Sequence, residues 1–211
     1  MNNELLSFDE WLASVDMPDG KRRILQAAVK LFAENGFHAT STATIAKEAG
    51  LSDAAMFKHF KNKDALLEAI LTPLFDQLMP NFSEQFVTAL HNQATTMNDL
   101  IAFIIADRWT FINKNNQVIQ ILLGEIMSNP AFRQQMVDAL TSRFNEVLTI
   151  LETRLRADQT TSPNVTSLDL VRLIVGQLAT HFMMTYKFHA QLDDATVVAN
   201  IIQLTQKAIR I

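Results

Sequence analysis

The chain has 211 residues, 48% of them hydrophobic, with only five Gly, five Pro and no cysteine. That length accommodates a small domain and a larger one, each with its own core, and the missing thiols exclude disulfides, thiolate metal sites and a cysteine nucleophile. The net charge of −4 is unevenly spread, because residues 21 to 63 hold eight Lys or Arg against three acids, a local +5 that leaves −9 on the rest. A basic region on an acidic protein approaches a polyanion in one orientation, since the remaining surface is repelled by phosphate.

No run of alternating β-branched residues is bounded by turn signals, and no internal repeat or low-complexity tract is visible, so the expected fold class is all-α. The opening MNNELLSFDEWLASVDMPDG has neither a basic leader nor a continuous apolar core, and no later apolar run reaches spanning length. The expectation is a soluble, cytoplasmic protein with no membrane segment. Over residues 4 to 15, Leu5, Phe8, Trp11, Leu12 and Val15 fall on one helical stripe beside Glu4, Asp9, Glu10 and Asp16. This predicts a short extra helix, residues 1–17, packed on the body by its apolar side.

The stretch from Lys21 to Leu67 carries closely spaced helix signatures. In KRRILQAAVKLFAENG, Ile24, Ala28, Leu31 and Phe32 form one apolar face and Gly36 is placed to stop the helix. In TSTATIAKEAG, the hydroxyls of Thr40, Ser41 and Thr42 are candidate caps, Ile45, Ala46 and Ala49 face inward, and Gly50 ends the segment. Ser52 then caps SDAAMFKHF only a few residues later, which is helix-turn-helix spacing, at about 41–60. Ala46, Ala49, Gly50 and Ala55 allow two backbones to cross closely, with Leu51, Met56 and Phe60 beneath. NKDALLEAI begins a further helix with Asn62 as cap; Lys63 in its first turn opposes the helix dipole and so needs a partner, for which a phosphate is suitable.

The joint spacing of LF(x)3G, IAKEAGLS and MFKHFKNKDALL resembles the tetracycline-repressor (TetR) family of bacterial transcriptional regulators. The resemblance implies an N-terminal three-helix helix-turn-helix head, residues 18–78, and a C-terminal helical ligand-binding and dimerisation domain, residues 79–211. It also implies a homodimer on a palindromic double-stranded DNA operator, with the third helix in the major groove. By position, Thr42 would contact phosphate, Ser52, Asp53 and Ala54 would face base edges or backbone, Phe57, Lys58 and His59 would lie along the groove wall, and Lys63 would anchor the backbone. Two departures stand out. Phe57 replaces the usual Tyr and so lacks a hydroxyl for phosphate, and Asp53 occupies a position where basic or neutral residues are common; its carboxylate either accepts from a cytosine amino group or caps its own helix. The acidic segment ahead of the head is unsuited to gripping DNA.

Pro73 and Pro80 interrupt or end the fourth helix, a place suited to a hinge. Further helices are expected at 82–92, 98–114, 116–128, 130–156, 167–189 and 194–209, with 157–166 a loop. Val171, Val175, Leu178 and Phe182, with Val197, Ile201, Leu204 and Ala208, recur at helical spacing and are the expected dimer interface, the companion stripes facing the protein's own body.

Asp107, Arg108 and Glu125 interrupt apolar stretches; they either pair internally, Asp107 or Glu125 with Arg108, or receive a polar group of an effector. Together with Phe103, Trp109, Met127, His181 and Tyr186 they are the candidate ligand residues, alongside Phe111, Phe132 and Met183, although Met and aromatic stripes also suit plain core. His91, His181 and His189 have no metal-ligand spacing, and no cofactor or metal is expected. The function read here is a ligand-responsive regulator, in the main a repressor, released from DNA by an unidentified small apolar or amphipathic effector. The alternatives are a structural DNA-binding protein without ligand control and a helical carrier or enzyme; no catalytic motif supports the last.

Overall fold

The computed structural model of the protein describes residues 7–74, 87–88, 90 and 96–211. Leu5, Pro80, His91 and most of the expected 82–92 helix lie outside the described residues. Backbone packing divides the chain into two compact units, residues 1–82 with 112–138 and residues 83–111 with 139–211. Residues 112–138 thus belong to the same compact unit as the head.

The first unit holds α1 (Phe8–Ser14), α2 (Asp19–Asn35), α3 (Thr42–Glu48), α4 (Asp53–His59) and α5 (Lys63–Pro73). Of the helices with described bounds, α6 (Met97–Lys114) begins in the second unit, and α7 (Asn116–Ser128) returns to the first. Helices of seven residues such as α3 and α4 are too short to persist alone. What holds them is a shared interior in which Ile24, Leu25, Ala28 and Phe32 of α2 meet Ile45, Ala46, Met56, Leu66 and Ile70, all almost fully buried. Each such side chain larger than Ala contributes roughly 1.5–3 kcal/mol. α2 is the hub of this unit, packing on α3, α4, α5 and α7.

The predicted N-terminal helix forms over Phe8–Ser14, with Phe8, Trp11 and Leu12 buried and a reciprocal capping box between Ser7 and Glu10. Two polar residues that periodicity does not single out fix it in place. The Phe8 N–H donates to Asn115 Oδ1 at 2.9 Å, with Asn115 itself buried, and the Arg22 guanidinium donates to the carbonyls of Leu12 and Val15 at the helix's C-terminal end.

The second unit contains most of α6, the greater part of α8 (Pro130–Ala157), α9 (Ser167–Tyr186) and α10 (Asp194–Ala208). Caps set the starts: Thr166 and Asp169 form a capping box on α9, and Asp193 accepts from the Thr196 N–H on α10. α9 and α10 pack together, joined by Gln177 Nε2 donating to the buried Thr205 hydroxyl at 2.9 Å. The 158–166 loop is pinned to the chain end by an isolated bridge between Thr161 and Arg210 and by the Ser162 N–H on the Ile209 carbonyl, 2.8 Å.

From residue 97 on, the helix bounds follow the expected ones to within a residue except at the end of α9, while α1 ends at Ser14 and not at 17. α9 stops at Tyr186 and not at 189, because the Lys187 and Phe188 N–H groups both turn onto the Met183 carbonyl and His189 adopts a left-handed φ of 52°. None of the described helices is long and apolar enough to cross a membrane.

Candidate nucleic-acid interface and effector site

The geometry of the head begins at Gly50. With α3 capped at Ala49, the Leu51 N–H bonds the Ala46 carbonyl at 2.9 Å and the Gly50 N–H bonds that of Lys47 at 3.0 Å, a Schellman closure that requires the left-handed φ of 66° found at Gly50. A Cβ there would also collide with the Arg23 guanidinium, which lies against the Gly50 carbonyl. The turn thus aims α4 away from α3 within three residues.

Caps are resolved residue by residue. Ser41, rather than Thr40 or Thr42, caps α3 by accepting from the Thr44 N–H; the Thr40 hydroxyl is buried and donates to the Leu31 and Gly36 carbonyls. Ser52 caps α4 through the Ala55 N–H at 3.2 Å. Asp53, considered as a cap for its own helix, is instead the exposed acidic residue of the first turn, where its charge suits the dipole.

α4 buries Met56 and leaves Ser52, Asp53, Ala54, Phe57 and Lys58 open to solvent. Phe57 is half exposed, 50%, which is unusual for an aromatic side chain in a small folded head. His59 is turned away from that face, its Nε2 close to the backbone of Gly20 at the start of α2. Thr42 stands half-buried in the first turn of α3.

The basic residues divide into two groups. Lys30 pairs with Glu48 at 2.6 Å, which raises the lysine's pKa, and Arg22 is engaged by α1. Lys63 donates to the carbonyls of Phe37, His38 and Thr40 at 2.8, 3.4 and 3.1 Å and lies over the Phe37 ring. Its partner in the protein is therefore the loop after α2, where a phosphate had been expected. Lys47, Lys58 and Lys61 remain exposed.

In the second unit, Arg108 pairs with its neighbour Asp107, the guanidinium Nε 3.0 Å from the carboxylate. Burial pushes the Arg108 pKa down to about 10, against the pull of Asp107. Glu125 is buried in the first unit with the Asn129 amide as partner. Met127, expected among the ligand residues, is 82% exposed and lines no interior: its position on α7 carries it to the open side of that helix. Met183 is also exposed, while Phe111 is buried and Phe103 and Phe132 half-buried.

Trp109 and His181 are brought together, ring centroids 4.2 Å apart and tilted by 32°. His181 Nε2 is 3.0 Å from Asp194 Oδ1 but out of line for a hydrogen bond. Tyr186 packs on Phe182 at 5.0 Å, and burial, with Asp194 nearby, raises its pKa. A separate cleft of about 410 Å³, lined by Thr96, Asn98, Leu100, Arg154, Asp158 and Arg210 among others, includes none of the expected ligand residues. Among the described residues no group of three His, Cys, Asp or Glu is placed to hold a metal.

The expected dimer stripes split. Leu178, Phe182 and Ile201 are buried within the protomer at 5% exposure or less, so they cannot face a partner, and Val171 and Val197 are half-buried. Val175, Leu204 and Ala208 are exposed, with Leu168 and Met183 on the same open side of α9. α9 and α10 thus use Leu178, Phe182 and Ile201 within their own unit and leave Val175, Leu204 and Ala208 uncovered.

Residues 24–70 match the family model for bacterial regulatory proteins of the tetR family. The chain is 33% identical over 124 residues to the fatty acid metabolism regulator protein of Bacillus subtilis, covering 58% of this chain and 61% of that protein. It is 30% identical over 132 residues to the HTH-type transcriptional regulator UidR of Escherichia coli, covering 56% and 65%. The match thus spans less than two thirds of either relative. By fold, the protein resembles FadR of Bacillus subtilis, solved with stearoyl-CoA, at a TM-score of 0.65, 23% identity and coverage of 89% and 98%. It also resembles NalD, the secondary repressor of the MexAB-OprM efflux pump of Pseudomonas aeruginosa, at 0.63, 18%, and 90% and 96%.

Proposed function

The chain belongs to the TetR family of bacterial regulatory proteins, and from that premise we propose that it is a ligand-responsive transcriptional repressor acting as a homodimer on a palindromic operator. The observation that carries the reading is the open face of α4, where Ser52, Asp53, Ala54, Phe57 and Lys58 stand exposed on a helix aimed by the Gly50 turn. In this reading Phe57 meets a thymine methyl or sugar, Lys58 and Thr42 meet phosphates, and Ser52, Asp53 and Ala54 meet base edges or backbone.

The effector is a small apolar or amphipathic molecule held in the helical body, with Trp109, His181 and Tyr186 the candidate ligand residues. Relatives that regulate fatty acid metabolism, and a neighbour of like fold solved with stearoyl-CoA, support an apolar chain bearing a polar end. Release is a population shift: an effector that binds the conformation with the wrong spacing of heads withdraws protein from DNA by its differential affinity alone. The protein is a cytoplasmic regulator and not an enzyme.

The deciding experiment is selection of bound sequences from a random duplex pool by the purified protein at near-physiological salt. Recovery of a palindrome supports a sequence-reading dimer and supplies the probe for effector screening. Weak, salt-sensitive binding without a consensus would overturn the reading in favour of a structural DNA-binding protein.

A further inference from the structure

Among the described residues, four polar atoms of the second unit are buried without a hydrogen-bond partner: Trp109 Nε1, His181 Nδ1 and Nε2, and Thr185 Oγ1. Native interiors seldom leave such groups unsatisfied, and a cluster of them calls for a missing partner. They belong to one locality. The Trp109 and His181 rings are stacked at 4.2 Å, and Thr185 follows His181 by four residues, one turn along the same face of α9. The sequence had singled out Trp109 and His181 as ligand residues; Thr185 joins them through its unpartnered hydroxyl.

We infer that Trp109, His181 and Thr185 form the polar recognition point for the effector, and that the group they bind is an uncharged oxygen (ester, ketone, amide or hydroxyl) on an otherwise apolar molecule. This rests on the ligand-responsive reading above. The donor inventory selects the class. The indole N–H only donates, a neutral imidazole offers one donor and one acceptor, and the threonine hydroxyl does either. A cation has no lone pair for the indole. An anion would meet the Asp194 carboxylate, 3.0 Å from His181 Nε2, while the nearby guanidinium of Arg108 is already engaged by Asp107. An uncharged oxygen satisfies the donors without a net charge to desolvate.

The chain has two tryptophans, so Trp11→Phe leaves Trp109 as the sole indole reporter in the full-length protein. Titration of that protein with methyl decanoate, decanoate, decylamine and decane compares the same apolar chain with a neutral, anionic, cationic or absent polar end. The ester is expected to change Trp109 emission saturably and to bind at least about tenfold more tightly than the other three, with Thr185→Val and His181→Phe each weakening it by about tenfold, the scale of one lost buried hydrogen bond. Thr185→Val is nearly isosteric and keeps the test available where the histidine variant fails to fold, as judged by its circular dichroism.

Preference for decanoate, an ester affinity indifferent to Thr185→Val, or no response of Trp109 to any probe would overturn the inference; in the last case the cluster holds only water. Because the titration needs no DNA, it fails separately from the regulator reading. A protein that binds its operator and is released by some ligand without a change at Trp109 loses this site and keeps its function. A protein that binds the ester but selects no operator does the reverse.

Discussion

Lys63 sets its ammonium 2.8 Å from the carbonyl of Phe37 and 4.4 Å from the centre of that residue's ring. The same ammonium reaches the Thr40 carbonyl, so one side chain at the start of α5 closes the loop between α2 and α3. These carbonyls follow the end of α2, where backbone acceptors would otherwise be left to water. Lys63→Ala should therefore lower the head's stability by about 1–2 kcal/mol, the range for hydrogen bonds to a charged group discounted for partial exposure. Lys58→Ala should leave stability unchanged and reduce the slope of log affinity against log salt by about one. Melting curves of the two variants beside salt titrations on the selected operator separate the roles; a Lys63→Ala protein with wild-type stability would refute the loop assignment.

Gly50 is the second point at which backbone geometry sets the proposed interface. Its φ of 66° strains any L side chain, and a Cβ there would displace the Arg23 guanidinium. Gly50→Ala should cost about 1–2 kcal/mol from the left-handed conformation alone, with Arg23 forced to move as well, and should impair operator binding by re-aiming α4. Chemical denaturation reads the first effect and a binding titration at a temperature where the variant is folded reads the second. At Gly36, by contrast, a Cβ meets nothing within 4 Å, although its φ of 84° is also positive. Gly36→Ala should then show backbone strain without the loss of binding.

The helices of the head were legible because their ends carry local chemistry: Gly36, Gly50, Ser52 and Asn62 mark boundaries through bonds to residues three or four away. Contacts distant in sequence were not. Lys63 looked like a phosphate ligand because its charge opposed the dipole of α5, whereas its carbonyl partners lie 23 to 26 residues earlier. Arg22 counted toward a basic surface yet serves α1, and Asn115, a polar residue between two apolar helices, gave no signal that it receives the Phe8 N–H. Periodicity marked two apolar stripes on α9 and α10 but carried no information on which one their own unit would cover.

Several carboxylates of the second unit give it a common response to acid. Asp169 and Asp193 accept from the hydroxyl and N–H groups of Thr166 and Thr196, and Glu152 accepts from the Ser167 N–H and pairs with Arg156; all three are held below the ordinary carboxylate pKa by these bonds. Asp158 is lowered in the same way by Thr160. Since the folded values lie below the unfolded ones, the unfolded chain takes up protons first as pH falls. The stability from these groups is then complete above the unfolded carboxylate pKa of about 4 and is lost on descending through the lower folded values. Urea midpoints should fall steeply below about pH 4, and the double variant Asp169→Asn, Asp193→Asn, which keeps a capping oxygen but cannot titrate, should fall less steeply. An unchanged slope would mean that these caps are not the acid-labile element.

The open sides of α9 and α10 give the proposed homodimer a test that separates surface from core. Val175 is 57% and Leu204 58% exposed, whereas Leu178, three residues beyond Val175, is 3% exposed. A carboxylate placed at an exposed position is hydrated in the monomer but must be desolvated twice in a two-fold interface, once from each subunit. Val175→Glu and Leu204→Glu should therefore yield folded monomers by sedimentation, with wild-type helicity and much weakened operator binding. Leu178→Glu should act earlier in the hierarchy, since it buries a charge inside the protomer, and should lower the helical signal or prevent folding. If Val175→Glu and Leu204→Glu both remain dimeric at micromolar concentration, the subunits meet elsewhere and this apolar stripe loses its assignment.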